Sequence, residues 1–343
     1  MSLQSLPNEL IAKIFSYLRQ EDLKNVRYVT RNFHYIIEEH IYLMDKPEVS
    51  EVVLESVSNE EGNEKFRVEF LFFFIVGEQK ISKDVKRNNI SISEVQYFLK
   101  KLKFKDLCQL RIKLKKSHKM LDIFNFYIKH GIEVTLVRID IDQCPIMDSF
   151  MQFLSHLRSV KSLNIDNLCV YPLKPGSSCI LPSIKDLQNV WIKECICGTF
   201  INEPMIIKLL LSHPNIEGIG ITCFGNNFHM KLINHILKMQ NCCNSITRSS
   251  CSYPFFSYGI VSTNKDINFE EVKNKCLQNI SYIWNIEVNE RRNHFWIFGL
   301  KFCEKCLKTV HIQIMLKIED CNRYCGGLTN NTMGPPQAKI KKL

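Results

Sequence analysis

Five short apolar segments recur at nearly equal spacing, and that spacing limits the possible folds more than any other feature of the chain. They are residues 107–112 (Leu-Cys-Gln-Leu-Arg-Ile), 134–139 (Val-Thr-Leu-Val-Arg-Ile), 160–165 (Val-Lys-Ser-Leu-Asn-Ile), 187–192 (Leu-Gln-Asn-Val-Trp-Ile) and 216–221 (Ile-Glu-Gly-Ile-Gly-Ile). Their fourth residues are Leu110, Val137, Leu163, Val190 and Ile219, so the steps are 27, 26, 27 and 29 residues. β-branched residues and alternation mark each segment as a strand. Most intervals carry a helical period instead. Met120, Leu121, Phe124 and Ile128 precede Gly131; Phe150, Phe153, Leu154 and Leu157 form a second set. Ile206, Ile207, Leu210 and Leu211 follow Pro204, and Ile233, Ile236 and Leu237 follow the last strand. Residues 171–182 hold Pro172, Pro175 and Gly176 and read as a loop. A strand and a helix of this size cannot bury their apolar faces alone, so the units must stack.

The period and the L-x-x-L-x-L form are similar to those of leucine-rich repeats. The expectation is an α/β solenoid over residues 104–245. Asp140, Asn167 and Cys223 only approximate the Asn or Cys that usually follows such a strand. The alternative is an open α/β domain whose strands happen to recur. In a solenoid, residues between the buried strand positions face the concave side. This makes Arg111, Lys113, Arg138, Asp140, Asn164, Asp166, Trp191, Lys193 and Thr222 the candidate substrate-binding residues. Trp191 is either an anchor for a partner or a residue covered by the preceding Pro/Gly loop.

The first forty residues differ in kind. Leu6, Leu10, Ile14 and Leu18 fall four apart on one helix face, with Ile11 and Phe15 beside them. Ser5 is a candidate cap and Pro7 suits the first turn. Leu23, Val26, Val29 and Phe33 make a second stripe, and Thr30 caps a third helix carrying Ile36 and Ile37. Three such helices are too few to be secure alone, and their apolar face is too wide to be left wet. They are either a cap on the following domain or a docking unit.

The order Leu6, Pro7, Glu9, Leu10, Ile14, Tyr17, Leu18, Asp22, Leu23, Val29, Thr30 and Phe33 resembles an F-box, with Thr30 where Ser is commoner and Phe33 where Trp is commoner. The resemblance implies binding to the Skp-family adaptor of a cullin ubiquitin ligase (SCF-type), with the remaining chain presenting a protein substrate. It also implies adaptor-binding residues among Leu6, Pro7, Leu10, Ile14, Leu18, Leu23 and Val29, some of which must instead hold the helices together. The arrangement as a whole resembles the nematode-expanded F-box proteins. No catalytic residue is implied, and the contribution to catalysis would be proximity.

Residues 46–103 read as a linker region with strands and one helix. Phe66, Val68, Phe70 and Phe72 alternate there, and Val95, Phe98, Leu99 and Leu102 keep helical spacing. Ser93, with Gln96 three residues on, forms a candidate capping box. Residues 246–328 lose the period and read as an irregular α/β cap, with a hairpin around residues 289–293 and a further strand near residues 311–316. Residues 329–343 read as a disordered tail, and the head as residues 1–45. The fold class is therefore α/β: a three-helix head, a repeat solenoid and an irregular extension.

Composition narrows the function. The formal charge is +10, and residues 80–119 carry thirteen Lys and Arg against Asp84, Glu94 and Asp106. Such density suits nucleic acid, but alternation of basic and apolar residues reads as a strand with a wetted face, so nucleic acid is disfavoured. Fifteen scattered cysteines without secretory features suit reduced thiols in a cytoplasmic or nuclear protein. The N-terminus lacks the pattern of a signal peptide, and no apolar run is long enough to span a membrane. Cys303, Cys306, Cys321 and Cys325 invite zinc, but the second pair is spaced by three residues and the knuckle glycine is missing, so no metal or cofactor is assigned. Phosphate-binding glycine loops, serine elbows and His-Glu-x-x-His are absent, which argues against an enzyme. The alternatives to a substrate receptor are a scaffold using the same adaptor contact and, less well supported, a basic nucleic-acid-binding repeat protein.

Overall fold

The computed structural model describes residues 3–58, 64–76, 79–115, 119–144, 147–170, 181–194, 200–213, 216–223, 229–239, 255–262, 269–278, 283–289, 294–303 and 308–318. The chain opens with α1 (Asn8–Phe15), α2 (Gln20–Arg27) and α3 (Arg31–Glu39). Thr30 caps α3, accepting from the Phe33 backbone N–H at 3.0 Å. Pro7 itself occupies the N-cap of α1 with no side-chain capping bond, and Ser5 closes a preceding 3-10 turn. The expected cap at Ser5 is thereby corrected. The helices close on Ile11, Phe15, Leu23, Phe33, Ile36 and Ile37. The Phe15 and Phe33 rings meet edge to face at 5.1 Å.

Behind the head stands one twelve-stranded sheet. Its strands are β1 (Glu51–Ser58), β2 (Glu64–Val76), β3 (Gln79–Ile90), β4 (Asp106–Lys115), β5 (Ile132–Cys144) and β6 (Leu157–Val170). They continue as β7 (Asn189–Glu194), β8 (Gly218–Cys223), β9 (Phe255–Ser262), β10 (Ile283–Asn289), β11 (His294–Cys303) and β12 (Lys308–Ile318). The spatial order is β10-β11-β12-β9-β8-β7-β6-β5-β4-β1-β2-β3. The middle strands are parallel, from β1 through β4–β9 to β12, and antiparallel ribbons close both ends. The expected hairpin around residues 289–293 is the β10–β11 pair.

Parallel neighbours need a crossover, and four of the crossovers here are helical. These are α5 (Lys119–Tyr127), α6 (Met147–Ser155), α7 (Glu203–Ser212) and α8 (His229–Met239). Gly131 turns the chain from α5 into β5 at φ +84°, where a side chain would be strained and would also strike Arg158. Asn202 caps α7 through the Met205 N–H at 2.9 Å. The helix before β4 is α4 (Ile92–Lys100); Ser91 and Glu94 form its capping box, which corrects the expectation of Ser93 and Gln96. α9 (Phe269–Leu277) follows β9.

The repeat is visible in the register. Leu110 pairs with Val137, Val137 with Leu163, Leu163 with Val190 and Val190 with Ile219. All five are buried under the helix layer, together with Phe124, Phe150, Phe153 and Ile206. The next residue on each strand points the other way. Burial in β4 alternates accordingly, with Leu110, Ile112 and Leu114 covered and Arg111, Lys113 and Lys115 exposed. Among the described residues, the sheet thus carries helices on one face and leaves the other open. The head packs beside β2, β3 and α4: Glu38 of α3 bridges Arg27 of α2 at 3.4 Å and Lys101, just past α4, at 2.8 Å.

Candidate functional site

Two surfaces stand out, one on the head and one on the sheet. On α1 the inner apolar face is Ile11, Ala12 and Phe15, and the outer face is Leu10 and Ile14. Leu10 is 52 % exposed and Ile14 41 %. Tyr17, Tyr28 and Val29 are exposed too. Water-exposed residues of this size, beside Ile11, Ala12 and Phe15 already buried, make this face the head's candidate docking surface.

On the open sheet face, register sets Arg111, Arg138, Asn164 and Trp191 side by side on four successive strands. The row continues through Gly220 and Gly259 to Met315 and Trp296. The two glycines are what the Trp191 ring lies on. A Cβ at Gly220 would fall 1.7 Å from Trp191 Cε3, and one at Gly259 3.2 Å from Cζ3. The indole is therefore laid across neighbouring strands, Trp191 is 39 % exposed, and it lines a hollow of about 500 Å³. Asn164, Asp166, Lys193 and Thr222 line the same hollow.

Electrostatics divide this face. Lys113 reaches Asp140 at 4.0 Å. Burial holds the Asp140 carboxyl above its usual range, with Asp166 and Asp142 adding to the effect; Lys113 and a hydrogen bond from Asn167 oppose it. Beneath the face, Glu194 at the end of β7 is 1 % exposed and accepts from the backbone N–H groups of Phe200 and Ile201. Burial pushes its carboxyl up to about 7 against those two hydrogen bonds. This ties the end of β7 to the segment that leads into α7.

Comparison with known families adds one finding: residues 3–47 match the F-box-like family model. The head is an F-box-like domain. Domains of this family bind Skp-family adaptors in SCF-type assemblies and are typically not catalytic. No match was found among the curated proteins or among the solved structures.

The F-box-like head separates the residues that the sequence grouped together. Pro7, Leu10, Ile14 and Val29 are exposed, Leu6 and Leu18 are half-buried against the head core, and Leu23, 3 % exposed, is packing. Leu23 thus belongs to the members of that set that hold the helices together. Tyr28, which follows the last residue of α2, is exposed as well. On the sheet, all nine candidates lie on one surface except that Thr222 is 7 % exposed, sunk beside the indole rather than presented. Gly220 and Gly259 were missed because their role depends on Trp191, far away in sequence. Among the described residues no cluster of three or more His, Cys, Asp or Glu is arranged to hold a metal ion. Cys306, Cys321 and Cys325 of the zinc reading lie outside the described residues, as does most of the Pro/Gly loop before Trp191. No described helix is long and apolar enough to cross a membrane.

The basic segment does not form one patch. Arg87 lies over the Phe98 ring on the helix side, whereas Arg111 and Lys113 stand on the open face. Lys86, Lys101, Lys103, Lys105, Lys113 and Lys119 each reach a carboxylate.

Proposed function

We propose that the chain is a non-catalytic substrate-recognition subunit of an SCF-type ubiquitin ligase, working in the cytoplasm or nucleus. The outer face of the F-box-like head, with Leu10 and Ile14 at its centre and Pro7 and Val29 beside them, docks on the Skp-family adaptor. The open sheet face, read as the concave side of a leucine-rich-repeat-like solenoid, presents a protein substrate to a conjugating enzyme carried by the cullin. The observation that supports this reading is an exposed apolar pair on a helix whose other face already completes the head core.

The test is co-purification of the full chain with a purified Skp-family adaptor and cullin, beside an Ile14→Asp variant. One-to-one binding that the variant loses supports the adaptor contact. Binding by both, or by neither, removes it. The open face is tested by placing a photo-cross-linker at Arg138 and, as a control, at the exposed Phe126 of the helix layer. Adducts from cell extract restricted to position 138 support the substrate face. Ubiquitin transfer to a cross-linked protein separates the receptor from a scaffold, which would show the adaptor contact without transfer.

A further inference from the structure

We propose that the hollow above Trp191 receives an arginine side chain of the protein partner. This rests on the open sheet face being the substrate surface. Two observations carry it. First, the indole is laid flat and held there by the absence of side chains at Gly220 and Gly259. A flat, half-exposed π face attracts cations, and guanidinium groups stack on it well.

Second, β6 carries a bulge at this point. Ile139 pairs with Ile165, but Asp140 pairs with Asn167, so Asp166 is the extra residue. Asn167 is tied back to β5 through its amide, which donates to the Ile141 carbonyl at 3.1 Å. Asp166 is left projecting into the hollow, with no cation or hydrogen-bond donor upon it among the described residues.

The open groups of the hollow are thus an aromatic face and a carboxylate. Both call for a planar donor with positive charge. A guanidinium stacked on Trp191 has donors in its own plane for Asp166. An acidic guest would meet a carboxylate, and an apolar guest would leave Asp166 stripped of water. Lys193 also lines the hollow but is already engaged. Arg138 lies two strands from Trp191, on the far side of Asn164, about 10 Å away at ordinary strand spacing.

The test uses the full chain and four capped pentapeptides, Gly-Ser-Xaa-Ser-Gly, with Xaa arginine, citrulline, lysine or phenylalanine. Binding is read by quenching of indole fluorescence. The arginine peptide is expected to bind saturably and more weakly as salt rises. Asp166→Asn, at an exposed position that leaves the fold intact, should weaken it about 5-fold, and the neutral citrulline isostere by at least as much. Trp191→Leu should abolish the quenching. Equal or tighter binding of citrulline, lysine or phenylalanine would overturn the arginine assignment while leaving the hollow as a binding surface. Silence from all four peptides also overturns it, and the open-face reading then stands or falls on the cross-linking comparison alone.

Discussion

The molecule leaves two surfaces open, and they are built on opposite terms. The outer face of the head offers exposed apolar side chains, Leu10, Ile14, Tyr17, Tyr28 and Val29, with Lys13 lying over the Tyr17 ring. The open face of the sheet is polar and set in rows, with Arg111, Arg138, Asp140 and Asp166 around one aromatic floor at Trp191. The first suits one constant partner, since apolar contact is strong and carries little information. The second suits selection among partners, since unmatched buried charge is heavily penalised. The joint between them is itself polar, through Glu38, Arg27 and Lys101.

The sharpest way to break the comparison is within α1, where inner and outer residues are neighbours. Phe15→Ala opens a cavity in the head and should cost about 3–5 kcal/mol of its stability, read as an early transition in chemical unfolding, with adaptor binding lost as a consequence. Ile14→Asp should leave the unfolding midpoint in place and cost about 2–4 kcal/mol of adaptor binding in a calorimetric titration. If Ile14→Asp also unfolds the head, the outer face is core and the distinction falls.

Glu194 sharpens the other side, because it holds the end of β7, the strand that carries Trp191. Its folded-state pKa is raised from 4.5 to about 7, so the folded state keeps the proton longer than the unfolded chain does. Stability from this group is full below about 4.5 and is lost as pH rises through 7, by a few kcal/mol. Glu194→Gln should flatten that slope in urea midpoints measured from pH 4.5 to 7.5. An unchanged slope would mean another group carries it. The smallest effect is expected at the joint. Lys101→Met removes one partner of Glu38 and should change stability by about 1 kcal/mol or less. It should leave both adaptor binding and peptide binding intact when each is measured alone.

Much of this was legible in the chain. The repeat set by Leu110, Val137, Leu163, Val190 and Ile219 became one row of paired, buried residues, because each strand has to put its apolar side chains on the helix-covered face, and that fixes its register against the next. The α/β class, the three-helix head and the Thr30 cap followed from local pattern. Local pattern failed where two choices were equally good locally. Ser91 with Glu94 and Ser93 with Gln96 both make a capping box, and the end of β3 at Ile90 selected the first.

The same physics divides the sites. A helix wheel shows that α1 has Leu10 and Ile14 on one stripe and Ile11 and Phe15 on another. It does not show which stripe α3 will cover. Packing against Phe33, Ile36 and Ile37 turned Ile11 and Phe15 inward and left Leu10 and Ile14 in water. Likewise the sequence alone places Trp191 on an outward strand position. Only strand pairing lays it over Gly220 and Gly259, 29 and 68 residues further on, because a sheet makes neighbours of residues that the chain keeps apart.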